Sequence, residues 1–223
     1  MRKCLSGMAV LIGLTSPAWA VDAPPGLPSD RAAAAEAQAK ADQELAALCA
    51  KVVCRKVPRR VTLRMLDKTS LETETRQVPY FDDKGSLAIF SGETISLSYA
   101  SDDTRLEHPA LSSVVDPAGG VELPSAAGVT ISFKFEQMEG RPDMMLTLSN
   151  TTKARVKYDT VMFVPGSAAN GGARVSHTSA CPLLPPPGGV ASFFGTEHWP
   201  HPIIMLLITG IRAQIASTSF VCE

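Results

Sequence analysis

The chain lacks most of the features that announce a chemistry. Its apolar runs, "LSGMAVLIGL" (Leu5–Leu14) and Ile203–Ile211, reach at most half of the about twenty residues that a membrane-spanning helix needs. Positive charge is not in excess, with 21 lysines and arginines against 22 acids, so nothing in the overall charge points to nucleic acid. No cysteines are spaced C-x-x-C, which excludes the thioredoxin-type redox motif and the zinc ribbon. A G-x-S-x-G elbow, an S-x-x-K pair, an H-E-x-x-H helix and a phosphate-binding glycine loop are all missing. The acidic pairs Asp82–Asp83 and Asp102–Asp103 lack the D-x-D-x-D-G frame of a calcium loop and read as turn residues. No repeat of fixed period is present. With no catalytic signature to build on, the expectation is a protein that is not an enzyme.

What is there begins with a secretory signal. Arg2 and Lys3 precede the apolar Leu5–Leu14 core, and "TSPAWA" closes with the small residues Ala18 and Ala20 of an A-x-A cleavage site. Residues 1–20 are therefore expected to be removed, with export to a periplasmic or extracellular, oxidising compartment and no transmembrane anchor left behind. Cleavage takes away two cations, so the charge of the remaining 203 residues moves from −1 to about −3. It also takes Cys4, leaving Cys49, Cys54, Cys181 and Cys222, an even set suited to two disulfides. The sequence-local pairing is Cys49–Cys54 with Cys181–Cys222, although four cysteines permit three connectivities. Residues five apart in a continuous helix lie ~7.5 Å apart along its axis, beyond the ~7 Å Cα limit of a disulfide. A Cys49–Cys54 bond therefore requires the helix to end between them. A Cys181–Cys222 bond would close a loop of about 42 residues, worth about 4 kcal/mol, and staple the C-terminus to the body.

Residues 21–28, "VDAPPGLP", read as a proline-rich tether. A helical leader follows over 29–57: Ser29 stands at the N-cap, Asp30 in the first turn, and "RAAAAEAQAKADQELAALCA" is dominated by the best helix former. Only its end carries an apolar stripe, Leu45, Leu48, Cys49 and Val52, so the back of the helix is expected to dock. The basic cluster Lys51, Arg55, Lys56, Arg59 and Arg60 suits the C-terminal end of a helix. It also offers a contact for a partner or an anionic surface such as lipid headgroups.

From 58 to 223 the periodicity changes from helical to alternating. In "VTISFKFE", Val129, Ile131, Phe133 and Phe135 share one face, and "VTLRM" and "TISLSY" alternate likewise. "MMLTLS" and "RVKYDTVMF", joined by "NTTKA", predict a hairpin, and about nine strands are expected in all. Many short strands with Gly/Pro turns predict a mainly β domain, an antiparallel β-sandwich behind an N-terminal α-helix. The segments "SGETISLSY", "LTLSNTTKARVKYDTVMF" and "TSACP" resemble uncharacterised secreted bacterial proteins with an immunoglobulin-like β-sandwich over Val61–Glu223. That resemblance implies the sandwich and brings no catalytic or binding residue with it.

Two further signals bear on function. "HWPHP" places His198 and His201 three apart in a proline-flanked, loop-like segment, a candidate copper or zinc pair with Met144 and Met145 as soft ligands for Cu(I). "NTT" at Asn150 matches the N-glycosylation sequon. The continuous apolar run Ile203–Ile211 predicts a central strand buried on both faces, with Gly210 marking a bulge. Together these predict a non-catalytic exported envelope protein that binds or scaffolds a partner through the sandwich and leader. The alternative is a periplasmic copper- or zinc-binding or delivery protein.

Overall fold

The computed structural model describes residues 28–55, 58–75, 77–99, 109–117, 129–166, 173–180, 183–188 and 191–214. The expected signal peptide, Lys56, His108, Cys181 and Cys222 lie outside these residues, and the expected Cys181–Cys222 bond with them. The alanine-rich run forms one helix, α1 (Pro28–Cys49), which ends at the first cysteine. Cys49 and Cys54 are bridged with Cα atoms 5.4 Å apart, as the axial-rise argument requires once the helix stops there. From Ala32 to Ala50 no residue of this region is buried, and Leu45, Leu48 and Cys49 are only half-buried. The expected docking of the helix end is thus partial. No helix among the described residues is long and apolar enough to cross a membrane.

Alternation then produces antiparallel strands. β1 (Arg59–Arg64) and β2 (Ser70–Thr75) form a two-stranded ribbon. Val61 and Leu63 of β1 are buried, and Arg64 hydrogen-bonds Gln137 and the Gly140 carbonyl, tying the ribbon to the body. β3 (Leu87–Phe90), β4 (Glu93–Tyr99), β5 (Ala110–Val115), β6 (Val129–Gln137) and β7 (Met144–Asn150) follow. β8 (Arg155–Pro165), β9 (Ala173–Ser179), β10 (Phe193–Trp199) and β11 (Met205–Gln214) complete the set. A five-stranded sheet has the order β10-β7-β6-β4-β5 and a four-stranded sheet the order β3-β11-β8-β9. Both contribute to one apolar cluster, where Phe133 of β6 meets Tyr158 of β8 edge-on with ring centroids 5.7 Å apart. Ile131, Phe133 and Phe135 are each fully buried, worth roughly 1.5–3 kcal/mol apiece.

The eleven described strands exceed the nine expected, and one pairing differs from the expected one. "MMLTLS" and "RVKYDTVMF" form strands, β7 and β8, but no hairpin: β7 pairs with β6 and β10, and β8 with β11 and β9. The link between them carries the chain from one sheet to the other. Asn150, fully buried, organises it: its Nδ2 donates to the Ala154 and Leu184 carbonyls, and its Oδ1 accepts from Thr152 N–H and hydroxyl. The sequon asparagine is thus an internal link whose amide is used up, closed to glycosylation in the folded chain.

β11 is interior, lying between β3 and β8. Met205 and Leu206 are buried on successive faces, while farther along Leu207 and Thr209 are only half-buried and Gly210 is exposed. Gly210 sits at φ 57° where the register with β8 shifts, which is the expected bulge. A Cβ there would lie 3.0 Å from Asp159 Oδ2.

Candidate functional site

Two members of the basic cluster behind α1, Arg55 and Arg59, are turned into the body. Val53 O accepts from Tyr80 N–H and Arg55 N–H donates to Val78 O, so residues 53–55 run as a short ladder against residues 78–80. That ladder turns Arg55 inward, where it is 2% exposed. Its Nε and Nη2 donate to the two oxygens of Glu93 at 2.9 and 2.6 Å. Nη1 reaches the Val78 and Pro79 carbonyls, and Nη2 also reaches Ala88 O. The guanidinium carbon lies 4.2 Å from the Tyr80 ring centroid and 4.7 Å from that of Phe90. Arg59 is buried as well, donating to Asp116 and to Ser91 O, with its Nε 3.9 Å from Glu93. The Tyr80 hydroxyl donates to Asp116 at 3.4 Å. Burial pushes that phenol up to about 12, against the opposing pull of Arg55.

The expected partner or anionic-surface contact is therefore corrected for Arg55 and Arg59. A buried Glu93 takes them as counterions, because an unpaired carboxylate inside the protein costs far more than a surface contact returns. Lys51 and Arg60 remain exposed, and Lys56 lies outside the described residues. The signal for this hub is in the sequence: Glu93 is in phase with the inward Ile95, Leu97 and Tyr99.

The histidine segment is also rearranged. His198 and Trp199 are not in a loop but complete β10, and Pro200 ends the strand rather than preceding it. Trp199 points inward and packs edge-on against Phe135, with centroids 6.4 Å apart. The next residue back faces the other way, so His198 is exposed, and its Nε2 lies 2.9 Å from Asp143 Oδ2. Arg141 donates to the same oxygen. This makes a carboxylate-oriented imidazole with Nδ1 left over, an arrangement that can offer one ligand nitrogen. It does not extend to a cage: among the described residues, no three His, Cys, Asp or Glu side chains are grouped so as to hold an ion. Of the suggested thioethers, Met144 is fully buried in the core, and alternation puts half-buried Met145 on the opposite face.

One residue before His198, Glu197 faces the interior and crosses to the other sheet. Tyr158 O–H donates to its Oε1 at 2.6 Å. Burial raises the Glu197 carboxyl above the ordinary glutamate range, and the phenol's hydrogen bond offsets part of that rise. Burial first, and then the neighbouring carboxylate, raise the Tyr158 phenol too. Its sequence signal is the phase Phe193, Gly195, Glu197, Trp199, which places an acid on the inward side of an edge strand.

No family model matches the chain, and neither a curated protein nor a solved structure is found to be similar to it.

Proposed function

We propose that the chain is an exported, non-catalytic envelope protein that binds or scaffolds a partner through its helical leader and an immunoglobulin-like β-sandwich. The observation that carries this reading is the state of α1: its last 18 residues, Ala32–Cys49, contain no buried side chain, yet its end is covalently fixed to the body. A helix of this length survives in a protein mostly by packing an apolar face, and this one has little packed in the described chain. A partner that covers it supplies what the body does not. The contact of Phe133 with Tyr158, one ring from each sheet, supports the sandwich arrangement. The disulfide agrees with an oxidising compartment. Deletion of residues 21–52, followed by fractionation of the native envelope, tests the reading. Loss of envelope association with the β body still folded is expected; unchanged association would refute the leader's docking role.

A second reading, copper or zinc binding at His198 and His201, is favoured by one observation. Asp143 engages one imidazole nitrogen of His198, the pattern that orients a metal-binding histidine. Calorimetric titration of the wild type against the His198→Ala/His201→Ala variant tests it. Equal binding by both proteins would remove it.

A further inference from the structure

We infer that the Cys49–Cys54 bond is a redox latch that governs how the leader helix is held; this regulation rests on the reading of α1 as a docking element. The two sides of the bond differ in how they are anchored. After Cys54 the chain is fixed without any help from sulfur: Cys54 bridges Pro79, Arg55 N–H bonds Val78 O, and the Arg55 side chain is locked in the Glu93 hub. Residues 78–80 are held in turn, since Ala88 N–H donates to Tyr80 O at 3.0 Å and Phe81 bridges Leu87. Before Cys49 the opposite holds. Between Ala32 and Ala50 the helix is half-buried only at Gln38, Ala41, Leu45, Leu48 and Cys49, and exposed elsewhere. The disulfide thus joins a firmly anchored strand to a weakly packed helix.

Both cysteines are half-buried, within reach of an external dithiol. A reductant thiolate attacks one sulfur, the Cys49–Cys54 bond breaks and a mixed disulfide forms. The reductant's second thiol then resolves it, leaving two protein thiols and an oxidised reductant, a two-electron exchange. In the reduced chain the closing turn, Lys51 N–H to Leu48 O and Val52 N–H to Leu48 O, is no longer pinned. A single helix without a packed face is marginal in water, so its end frays. Leu45, Leu48 and Val52 are then freed together as an apolar stripe. Oxidised, the leader is presented in one fixed orientation; reduced, it is released from the body, whose sheets stay intact.

Hydrogen exchange on the full mature chain, with and without dithiothreitol, tests the latch, with mass-tagging of Cys49 and Cys54 to score reduction. A Cys49→Ser/Cys54→Ser variant keeps the effect separate from the remaining cysteines. Reduction is expected to speed exchange across the helix end, residues 45–52, by about tenfold or more while amides of β6, β8 and β11 stay protected. The variant should show the same pattern without reductant. Unchanged helix protection would overturn the inference, as would simultaneous loss of sheet protection or a bond that resists the dithiol in the folded protein. These readings do not depend on envelope association, so failure of the docking role and failure of the latch are told apart.

Discussion

Replacing Arg55 by alanine should be among the most damaging single changes in this chain, although the residue sits in a run of cations that reads as surface. In the native structure Glu93 is fully buried and receives two charge-assisted bonds from Arg55, at 2.9 and 2.6 Å. Without them its described partners are the Phe90 N–H at 2.8 Å and the Arg59 Nε at 3.9 Å. The Val78, Pro79 and Ala88 carbonyls lose their guanidinium donor, and the space between the Tyr80 and Phe90 rings empties. Breaking one side of a buried ion pair costs about 3–5 kcal/mol, a large share of the ~5–15 kcal/mol that stabilises a typical domain. At about 2 kcal/mol per molar urea, the unfolding midpoint should fall by roughly 2 M. The assay is urea unfolding followed by circular dichroism at neutral pH with the Cys49–Cys54 disulfide intact. A companion variant separates lost charge pairing from lost packing: Arg55→Met/Glu93→Leu removes both charges and should lie within about 2 kcal/mol of the wild type. A loss below about 1 kcal/mol for Arg55→Ala would refute the hub and return Arg55 to the surface role read from the sequence.

Three further outcomes follow from the same geometry. Because burial raises the folded-state carboxyl of Glu197, the folded chain binds a proton that the unfolded chain has released. Its contribution to stability therefore falls as pH rises from the ordinary glutamate range through the raised value. Glu197→Gln should flatten that stretch of the thermal stability–pH profile and gain most near neutrality; parallel profiles would contradict this. Gly210→Ala puts a side chain at φ 57° and a Cβ 3.0 Å from Asp159 Oδ2, and should cost about 1–2 kcal/mol by chemical denaturation. Lys68, at φ 70° in the β1–β2 turn, is the opposite case: Lys68→Gly relieves a left-handed lysine and should stabilise by about 1 kcal/mol in the same assay.

Strand faces were legible because alternation is a local property. Ile131, Phe133 and Phe135, like Ile95, Leu97 and Tyr99, are buried as their spacing required. Strand partners were not legible in the same way. The five-residue "NTTKA" has the length of a hairpin loop, but the buried Asn150 amide makes it a crossing between sheets, and that depends on Leu184, 34 residues away. The fate of Arg55 was hidden for the same reason, since Glu93 lies 38 residues downstream. At His198 the prolines mislead, because Pro200 and Pro202 suggest an irregular segment throughout. They act only after Trp199, which the Phe135 contact holds in the strand.

The two inward acids show how differently one problem is solved at two ends of the fold. Glu93 and Glu197 both occupy positions that alternation reserves for apolar side chains. Glu93 is met by a guanidinium that answers charge with charge and also binds three carbonyls, so the same side chain ties residues 78–79 and β3 together. Glu197 is met by one neutral hydroxyl, from Tyr158 in the other sheet. A hydrogen bond from a neutral donor compensates a buried carboxylate less completely than an ion pair does. Sensitivity to pH is therefore expected at β10, where burial raises the Glu197 carboxyl that accepts from the Tyr158 hydroxyl on the inner face. Protonating Glu197 leaves the two sheets bridged by neutral groups, while ionising it places an incompletely compensated charge between them. The edge of the five-stranded sheet is in this way one place where a change of pH acts on the packing of the body, through the Glu197–Tyr158 contact.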